Sequence, residues 1–224
     1  MPSPSTPPMA DLAPPFGSLV ARARQLVDAA RASGTRRVLG VAGPPGAGKS
    51  TLSAALLGAL GPDAVGLPMD GYHLAQAELV RLGRADRKGA PDTFDAAGFV
   101  ALLRRLREPE GEVVYAPAFE RAIEEPIAGA IAVPHDVPLV VAEGNYLLLE
   151  ELPWAAVRAL LDEAWYVDLD PEVRVRRLID RHVRYGRTPD DARAWVLRSD
   201  EANARLVESS RGRADLVVRE HSAR

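Results

Sequence analysis

One nine-residue segment constrains the fold of this chain more than any other feature. It reads GPPGAGKST from Gly43 to Thr51 and fits the pattern G-x-x-x-x-G-K-[ST] of loops that bind phosphate groups through backbone N–H groups. Glycines let such a loop approach the anion closely, and the positive end of the following helix dipole faces the phosphates. The residues predicted to bind the phosphates are Gly43, Pro44, Gly46, Ala47, Gly48, Lys49, Ser50 and Thr51.

The sequence on either side of this loop supports the assignment. Residues 37–42 form a short apolar run with β-branched residues, which predicts a buried strand. Residues 51–60 predict a helix that Gly61 and Pro62 end. Strand, loop and helix in this order are the context in which the motif binds a nucleoside triphosphate. In that context Lys49 would reach the β and γ phosphates, and the Ser50 hydroxyl would hold Mg²⁺.

Composition narrows the class of protein built around this loop. A length of 224 residues predicts one α/β domain, preceded by a disordered tail over the Pro- and Ser-rich residues 1–15. A formal net charge of −3 argues against a nucleic acid partner, and no apolar run is long enough to predict a membrane span. The absence of cysteine excludes disulfides and thiolate metal sites, and it is compatible with a cytoplasmic location.

The basic residues are almost all arginines. Lys49 and Lys88 are the only lysines among the 28 basic residues. Because an ammonium group and a planar guanidinium are not interchangeable at a phosphate site, we interpret Lys49 as a residue kept for its chemistry. Lys88 fits a solitary surface lysine equally well.

Strands alternate with helices along the rest of the chain. The predicted helices cover residues 16–32, 73–82, 95–107, 153–161, 172–185 and 189–207, and the predicted strands cover residues 37–42, 64–69, 112–116, 137–142, 164–168 and 215–218. A polar loop is predicted over residues 84–92, and an irregular segment runs from the third strand to residue 136. The alternation predicts an α/β fold with a mostly parallel sheet covered by helices on both faces.

Acidic residues follow two of the predicted strands, at the edge where parallel sheets bind ligands. Asp70 follows the second strand and would face the γ phosphate, where a carboxylate can orient an acceptor hydroxyl and take its proton. Its alternative is a turn aspartate before Gly71. Glu143 ends an apolar strand and would act on the Mg²⁺ side, usually through water. The alternative for Glu143 is capping of the next segment.

An arginine-rich helix provides a third candidate group. Its arginines recur every three or four residues and therefore share one face: Arg174, Arg177, Arg181 and Arg184. Most such stripes are solvated surfaces. Between helices that fold over a nucleotide, arginines instead neutralise charge on the transferred phosphoryl group, and we predict this role for Arg177 and Arg181.

Histidines and aromatic residues give weaker signals. Lone histidines such as His73 and His182 are more often packing residues, and no histidine pair has the spacing of metal ligands. In the segment YAPAFER, the side chains of Tyr115, Phe119 and Arg121 either line an acceptor pocket or belong to the core and the surface.

Taken in order, six motifs resemble those of the superfamily of uridine kinases, type I pantothenate kinases and phosphoribulokinases. They are GPPGAGKST, MDGYH, RKGAPDTFD, YAPAFER, VAEGNYLLL and RRLIDRH, within residues 36–207. MDGYHL and EGNYLLL are most similar to bacterial fructose-transport-associated or nucleoside kinase-like proteins. The resemblance implies a three-layer P-loop NTPase (kinase) fold over residues 16–224, with a helical lid at about residues 174–190 and Mg-ATP as phosphoryl donor.

The resemblance also implies a reaction, the phosphorylation of an alcohol group on a sugar, a nucleoside or a pantothenate-like metabolite. It implies that Asp70 is the base, and that Lys49 and the lid arginines contact the phosphoryl group. The residues on the acceptor side would be Tyr72, His73, Lys88, Tyr115 and Arg121. EGNYLLL departs from the uridine kinase and pantothenate kinase patterns, so the acceptor stays open. A nucleotide-hydrolysing switch and a non-catalytic nucleotide-binding regulator remain alternatives, and the sequence leaves a homodimer open.

Overall fold

A twisted sheet and the helices around it account for most of the computed structural model, which describes residues 12–108 and 113–220. Within these ranges the strands are β1 (Leu12–Ala13), β2 (Arg37–Ala42), β3 (Ala64–Pro68), β4 (Val114–Glu120), β5 (Glu125–Val133), β6 (Leu139–Gly144), β7 (Glu163–Asp168) and β8 (Leu216–Glu220). The helices there are α1 (Phe16–Ser33), α2 (Lys49–Leu60), α3 (Gln76–Arg81), α4 (Ala96–Arg107), α5 (Ala155–Arg158), α6 (Pro171–Arg184), α7 (Pro189–Trp195) and α8 (Glu201–Ser209).

The main sheet has six strands in the order β1-β8-β7-β2-β6-β3. Its strands run parallel except β1, which pairs antiparallel with β8 at the edge. The central strands β2, β6 and β7 are buried apolar runs, as expected for strands that are covered on both faces. The predicted α/β fold with a mostly parallel sheet is confirmed.

Successive residues of the central strands feed two separate cores, one on each face of the sheet. Val38 packs with α4, α5 and α8 on one face, whereas its neighbour Leu39 packs with α1 and α2 on the other. The same alternation separates Val140 from Val141 on β6. Because alternate side chains of each strand point to opposite faces of the sheet, helices pack on both faces. The result is three layers: helices, sheet and helices.

Side-chain caps mark the start of α4, α6 and α7 among the described helices. The Asp95 side chain accepts the N–H of Gly98 at 2.8 Å, and α4 then buries the predicted stripe that includes Phe99 and Leu103. Asp170 caps α6 in the same way, directly before the proline that the sequence placed at this helix start.

A β-hairpin replaces the irregular segment predicted up to residue 136. β4 and β5 pair antiparallel as a separate two-stranded sheet. The register shifts between Ala116 and Ala118, so Pro117 sits at a bulge where its missing N–H costs no regular ladder bond. The sequence did not predict this hairpin because Pro117 and Pro126 interrupt its strands and β5 lacks the alternation of polar and apolar residues that predicts a half-buried strand. Glu112, the first residue of the predicted strand there, lies outside the described residues.

Other boundaries also differ from prediction. Leu12 and Ala13, assigned to the disordered tail, form β1 because the exposed edge of β8 offers them backbone hydrogen-bond partners; residues 1–11 of that tail lie outside the described residues. The helix predicted over residues 189–207 is realised as α7 and α8 joined by a π-helical turn at Val196–Asp200. Among the described helices, none combines the length and apolar character that crossing a membrane requires.

Candidate active site

The phosphate-binding loop connects β2 to α2, as predicted. Gly46 has a φ of 80°, which favours glycine. A Cβ atom at this position would lie 2.7 Å from Cγ of Leu178 and 3.1 Å from the carbonyl oxygen of Arg174. The loop is therefore pressed against α6, and α2 begins directly behind it at Lys49. A loop at the N-terminus of a helix directs its backbone N–H groups and the positive end of the helix dipole at a bound anion.

Lys49 lies beneath this loop and is only 8% exposed. Its Nζ atom donates to the carbonyl oxygen of Pro44 at 2.9 Å. Burial lowers the pKa of Lys49 to about 8, an effect that the negative charges of Glu143 and Asp70 oppose. The ammonium group thus faces the two strand-end carboxylates that the sequence singled out.

Ser50 and Glu143 meet at the mouth of the loop. Ser50 Oγ donates to Glu143 Oε1 at 2.8 Å, although the residues are 93 positions apart. The parallel register of β2 and β6 pairs Ala42 with Gly144 and so brings the two strand ends level. Burial raises the pKa of Glu143, and the nearby Lys49 opposes this rise. A hydroxyl and a carboxylate oxygen side by side are hard ligands of the kind that Mg²⁺ prefers.

No cluster of three or more His, Cys, Asp or Glu side chains suited to a metal ion occurs within residues 12–108 and 113–220. A bound Mg²⁺ would therefore depend on phosphate oxygens and water for its remaining ligands, which is the usual arrangement for this ion. The Ser50–Glu143 pair fits that mode of binding.

Asp70 lies on a 3₁₀ turn that follows β3. Its Oδ2 atom accepts from Nη2 of Arg121 at 3.0 Å. The hairpin that carries Arg121 presses on this turn, because a Cβ atom at Gly71 would lie 2.3 Å from the carbonyl oxygen of Pro117. The glycine after Asp70 is therefore required by a close approach of two backbones, and this approach brings Arg121 to Asp70.

His73 sits next to Asp70 between two aromatic rings. Its ring centroid lies 4.0 Å from that of Phe94 and 4.7 Å from that of Phe119. Burial lowers the pKa of His73; the charge and the carbonyl group of Asp70 oppose this effect, and the charges of Lys88 and Arg121 add to it. The neutral ring contacts the carbonyl oxygen of Asp70 at 2.8 Å through Nδ1, which must carry the proton because a carbonyl only accepts. Nε2 is then the acceptor nitrogen of the ring.

Two cations share the Phe119 ring. Lys88 Nζ lies 5.4 Å and Arg121 Cζ lies 5.7 Å from the ring centroid. Lys88 Nζ also donates to the carbonyl oxygen of Glu124 at 2.6 Å and to Oε1 of Gln76 at 3.3 Å. One group of side chains therefore surrounds Asp70: His73, Lys88, Phe119 and Arg121. We call the space between this group and the phosphate loop the cleft.

The loop that carries Lys88 is fixed by residues that sequence reasoning missed. Gly89 offers its carbonyl oxygen to the hydroxyl of Tyr146 and to Nδ2 of Asn203, the latter at 3.3 Å. Both side chains are buried. Tyr146 belongs to the EGNYLLL motif, so this motif holds the loop that carries Lys88. No spacing rule connects these three residues, which is why the sequence did not reveal them.

Two residues predicted on the acceptor side have their contacts elsewhere. The Tyr72 ring packs edge-on against Phe99 with centroids 5.1 Å apart, and burial raises the pKa of Tyr72 to about 12. Tyr115 is 59% exposed on β4, whereas the next residue, Ala116, points into the core. Neither tyrosine makes the contacts described above for the group around Asp70.

The arginines of α6 differ in their partners. Arg174 is buried and pairs with Glu201. Arg177 binds Glu220 of β8 through two hydrogen bonds of 2.9 and 2.6 Å. Arg181 forms no ion pair within the described part of the chain. Burial lowers the pKa of Arg181, with Arg121 acting in the same direction and Asp200 and Asp70 opposing. His182 on this helix contacts Asp200 at 2.9 Å. Arg181 is thus the arginine of the stripe that faces the cleft.

A second group of missed residues lies beyond the carboxyl ends of β7 and β8. A cavity of about 220 Å³ is lined there by Asp168, Leu169, Asp170, Pro171, Arg219 and Glu220. It adjoins the phosphate loop, since a Cβ atom at Gly48 would lie 3.7 Å from Oε2 of Glu220. The strand-end rule that identified Asp70 and Glu143 applies to these two strands as well and could have found this cavity.

Several known proteins are similar to this chain. The model of the Phosphoribulokinase / Uridine kinase family matches residues 38–224. An ATP-dependent kinase-like protein of Aspergillus versicolor is 40% identical over 145 residues, which are 61% of this chain and 84% of that protein. A Schizosaccharomyces pombe protein provisionally named a uridine kinase is 35% identical over 196 residues, 83% of each chain.

A solved structure is similar as well. It is a protein of Silicibacter sp. TM1040 that is provisionally described as a fructose transport system kinase. The two chains are 36% identical, and the TM-score is 0.75 with 86% of this chain and 98% of that chain covered.

Proposed function

This chain belongs to the phosphoribulokinase and uridine kinase family and is a kinase, and we propose that it transfers the γ-phosphoryl group of ATP to a hydroxyl group of a small metabolite. A sugar, a nucleoside and a pantothenate-like alcohol are the acceptor classes considered. The observation that carries this proposal is the convergence of two strand-end carboxylates, Asp70 and Glu143, on the ammonium group of Lys49 beneath the phosphate loop.

The proposed donor site is the loop and the start of α2. Backbone N–H groups between Gly43 and Thr51 would bind the phosphate oxygens, and Lys49 would move its proton-bearing Nζ from the Pro44 carbonyl to the β and γ phosphates. Ser50 and Glu143 would hold Mg²⁺, which neutralises charge on the phosphate oxygens when it is bound. The cavity beside Glu220 offers room for the remainder of the nucleotide.

Asp70 is the proposed base. The acceptor oxygen forms a bond to the γ-phosphorus while its proton passes to the Asp70 carboxylate. The bond between the γ-phosphorus and the bridging oxygen breaks, and ADP leaves with that electron pair. Arg181, which faces Asp70 across the cleft, would stabilise charge on the transferred group from the lid proposed at residues 174–190.

Conversion of Asp70 to asparagine tests this assignment. Asp70→Asn keeps the size of the side chain but removes the proton acceptor, so we expect kcat to fall about 100- to 10,000-fold. Binding of ATP should persist because the phosphate loop is unchanged. Coupled ADP release measures kcat, and calorimetric titration measures nucleotide binding.

Asp28→Asn is the matched control, because Asp28 is an exposed residue of α1 and the same atoms are exchanged. Near-normal turnover in Asp70→Asn would refute the assignment of the base. ATP consumption that needs no small-molecule acceptor would instead favour a nucleotide-hydrolysing switch.

A further inference from the structure

We propose that the acceptor carries an anionic group, a carboxylate or a phosphate, close to the hydroxyl that is phosphorylated, and that Arg121 receives this group. The proposal rests on the kinase function proposed above for the same cleft. It predicts that the acceptor is negatively charged, a property that the fold alone does not determine.

Two cations on the acceptor side of the cleft have no carboxylate in contact within the described residues. Lys88 donates to neutral oxygen atoms of Glu124 and Gln76 and forms no ion pair there. Arg181 likewise has no ion-pair partner in that part of the chain. An anionic group on the acceptor would give these cations a partner of opposite charge.

Arg121 itself is held at Asp70 by an accessible ion pair. Its guanidinium lies on the proposed base, with Nη2 3.0 Å from Asp70 Oδ2, and the two side chains are 42% and 32% exposed. An ion pair this accessible to water is weak and easily exchanged. A planar guanidinium has a second edge and binds carboxylate or phosphate oxygens in pairs. An incoming anion can therefore draw Arg121 off Asp70, which leaves the carboxylate free to take the hydroxyl proton.

The contact between Arg121 and Asp70 limits the size of the acceptor. Because Arg121 contacts Asp70 directly, a molecule that meets both must present its hydroxyl and its anionic group within a few bonds of each other. The Phe119 ring holds Arg121 from one side and Lys88 adds positive potential at the same ring. A neutral acceptor would leave Arg121 on Asp70, where it competes for the lone pairs that the reaction needs.

Matched acceptor pairs test the charge class. Coupled ADP release with Mg-ATP should be measured for glycerate, glycerol 3-phosphate and glycerol, for gluconate and glucitol, and for fructose 6-phosphate and fructose. In each pair that the enzyme accepts, we expect the compound with a carboxylate or a phosphate to be the better acceptor. Its kcat/KM should be about 10- to 100-fold above that of its neutral partner. The carboxylate and phosphate arms identify which anion is used.

Substitution of Arg121 tests the residue. Arg121→Gln should lower kcat/KM for the anionic acceptor by about 10- to 100-fold through KM, and should remove most of the preference over the neutral partner. Arg121→Lys keeps the charge and should restore part of the preference. Arg105→Gln, an exposed arginine of α4, is the control for loss of one charge. Thermal unfolding and ATP binding of each variant exclude a folding defect.

The outcomes separate this inference from the function on which it rests. Turnover of neutral acceptors with equal or higher kcat/KM than their anionic partners would overturn the inference and leave the kinase proposal standing. The same holds if Arg121→Gln reduces both members of a pair equally. Binding of ATP without ADP release for any acceptor in either class would contradict the proposed function and this inference with it.

Discussion

At the scale of single residues, environment separates side chains that look alike in the sequence. The two lysines of the chain are one example. Lys49 is buried under the phosphate loop, and its pKa is lowered to about 8, whereas Lys88 contacts the carbonyl oxygen of Glu124 and the Phe119 ring. Composition alone leaves Lys88 equally compatible with a surface position, the family resemblance predicts it on the acceptor side, and its contacts place it beside Phe119.

His73 leads to a prediction about pH. Its folded-state pKa lies below the ordinary value of 6.5, chiefly through burial. Between that ordinary value and the lower folded pKa, the unfolded chain binds a proton that the folded chain does not, so the free energy of unfolding falls as the pH is lowered. We expect wild-type protein to lose more stability between pH 7.5 and pH 5.5 than His73→Asn, which does not titrate and can still donate to the Asp70 carbonyl.

Urea unfolding at the two pH values measures this difference, and comparison with the variant cancels the contribution of other titrating groups. Those that face His73 are Asp70, Lys88 and Arg121. His135→Asn, beyond the opposite end of β5, is the matched control. An equal loss of stability in wild type and His73→Asn would show that His73 does not resist protonation.

At the scale of elements, α6 presents one arginine stripe with three different roles. Arg174 joins the helix to α8, Arg177 joins it to β8, and Arg181 faces the cleft. The sequence predicts the shared face from spacing, but the partners come from elements 27 and 43 positions away. The prediction of a catalytic role for Arg177 therefore stays untested while its side chain is bound to Glu220.

Substitution of these arginines should separate their roles. Arg181→Gln should lower kcat on the order of 100-fold, because it removes positive charge from the cleft, and should change stability little. Arg177→Gln should lower the free energy of unfolding by about 1 kcal/mol, because Glu220 loses a partly exposed partner. Steady-state kinetics and urea unfolding on both variants measure the two effects. A larger fall in kcat for Arg177→Gln than for Arg181→Gln would reverse the assignment.

The hairpin of β4 and β5 carries Phe119 and supports Arg121, two of the residues beside Asp70. The hairpin approaches Gly71 closely, and the sequence shows this glycine directly after Asp70, the proposed base, in the motif MDGYH. The hairpin itself was not predictable, because its strands alternate poorly and include Pro117 and Pro126. Pairing between β4 and β5 overrides these weak local preferences.

At the scale of the whole molecule, binding of Mg-ATP should stabilise the fold. A ligand at 100 times its Kd adds about 2.7 kcal/mol, and each kcal/mol raises Tm by about 2–4 °C for a chain of this size. We therefore expect saturating Mg-ATP to raise Tm by roughly 5–10 °C. Lys49→Ala should lose most of this shift because the buried ammonium is the charge beneath the loop.

Lys88→Ala, the other lysine of the chain, is the matched control and should keep the full shift from Mg-ATP. Differential scanning fluorimetry with and without nucleotide measures both variants. A normal shift in Lys49→Ala would contradict the proposed donor site.

The sequence by itself predicts the proposed donor side of this protein. The phosphate loop, the order of strands and helices, and the acidic strand ends follow from local patterns, because a loop motif and a buried strand depend mainly on neighbouring residues. Only the tertiary structure decided how the proposed acceptor side is assembled, because Asp70, Lys88, Phe119 and Arg121 come from three separate segments. Their contacts depend on the close approach of the hairpin to Gly71 and on the anchoring of Gly89 by Tyr146 and Asn203. Packing between distant elements has no local signature, and it alone brings Arg121 to Asp70.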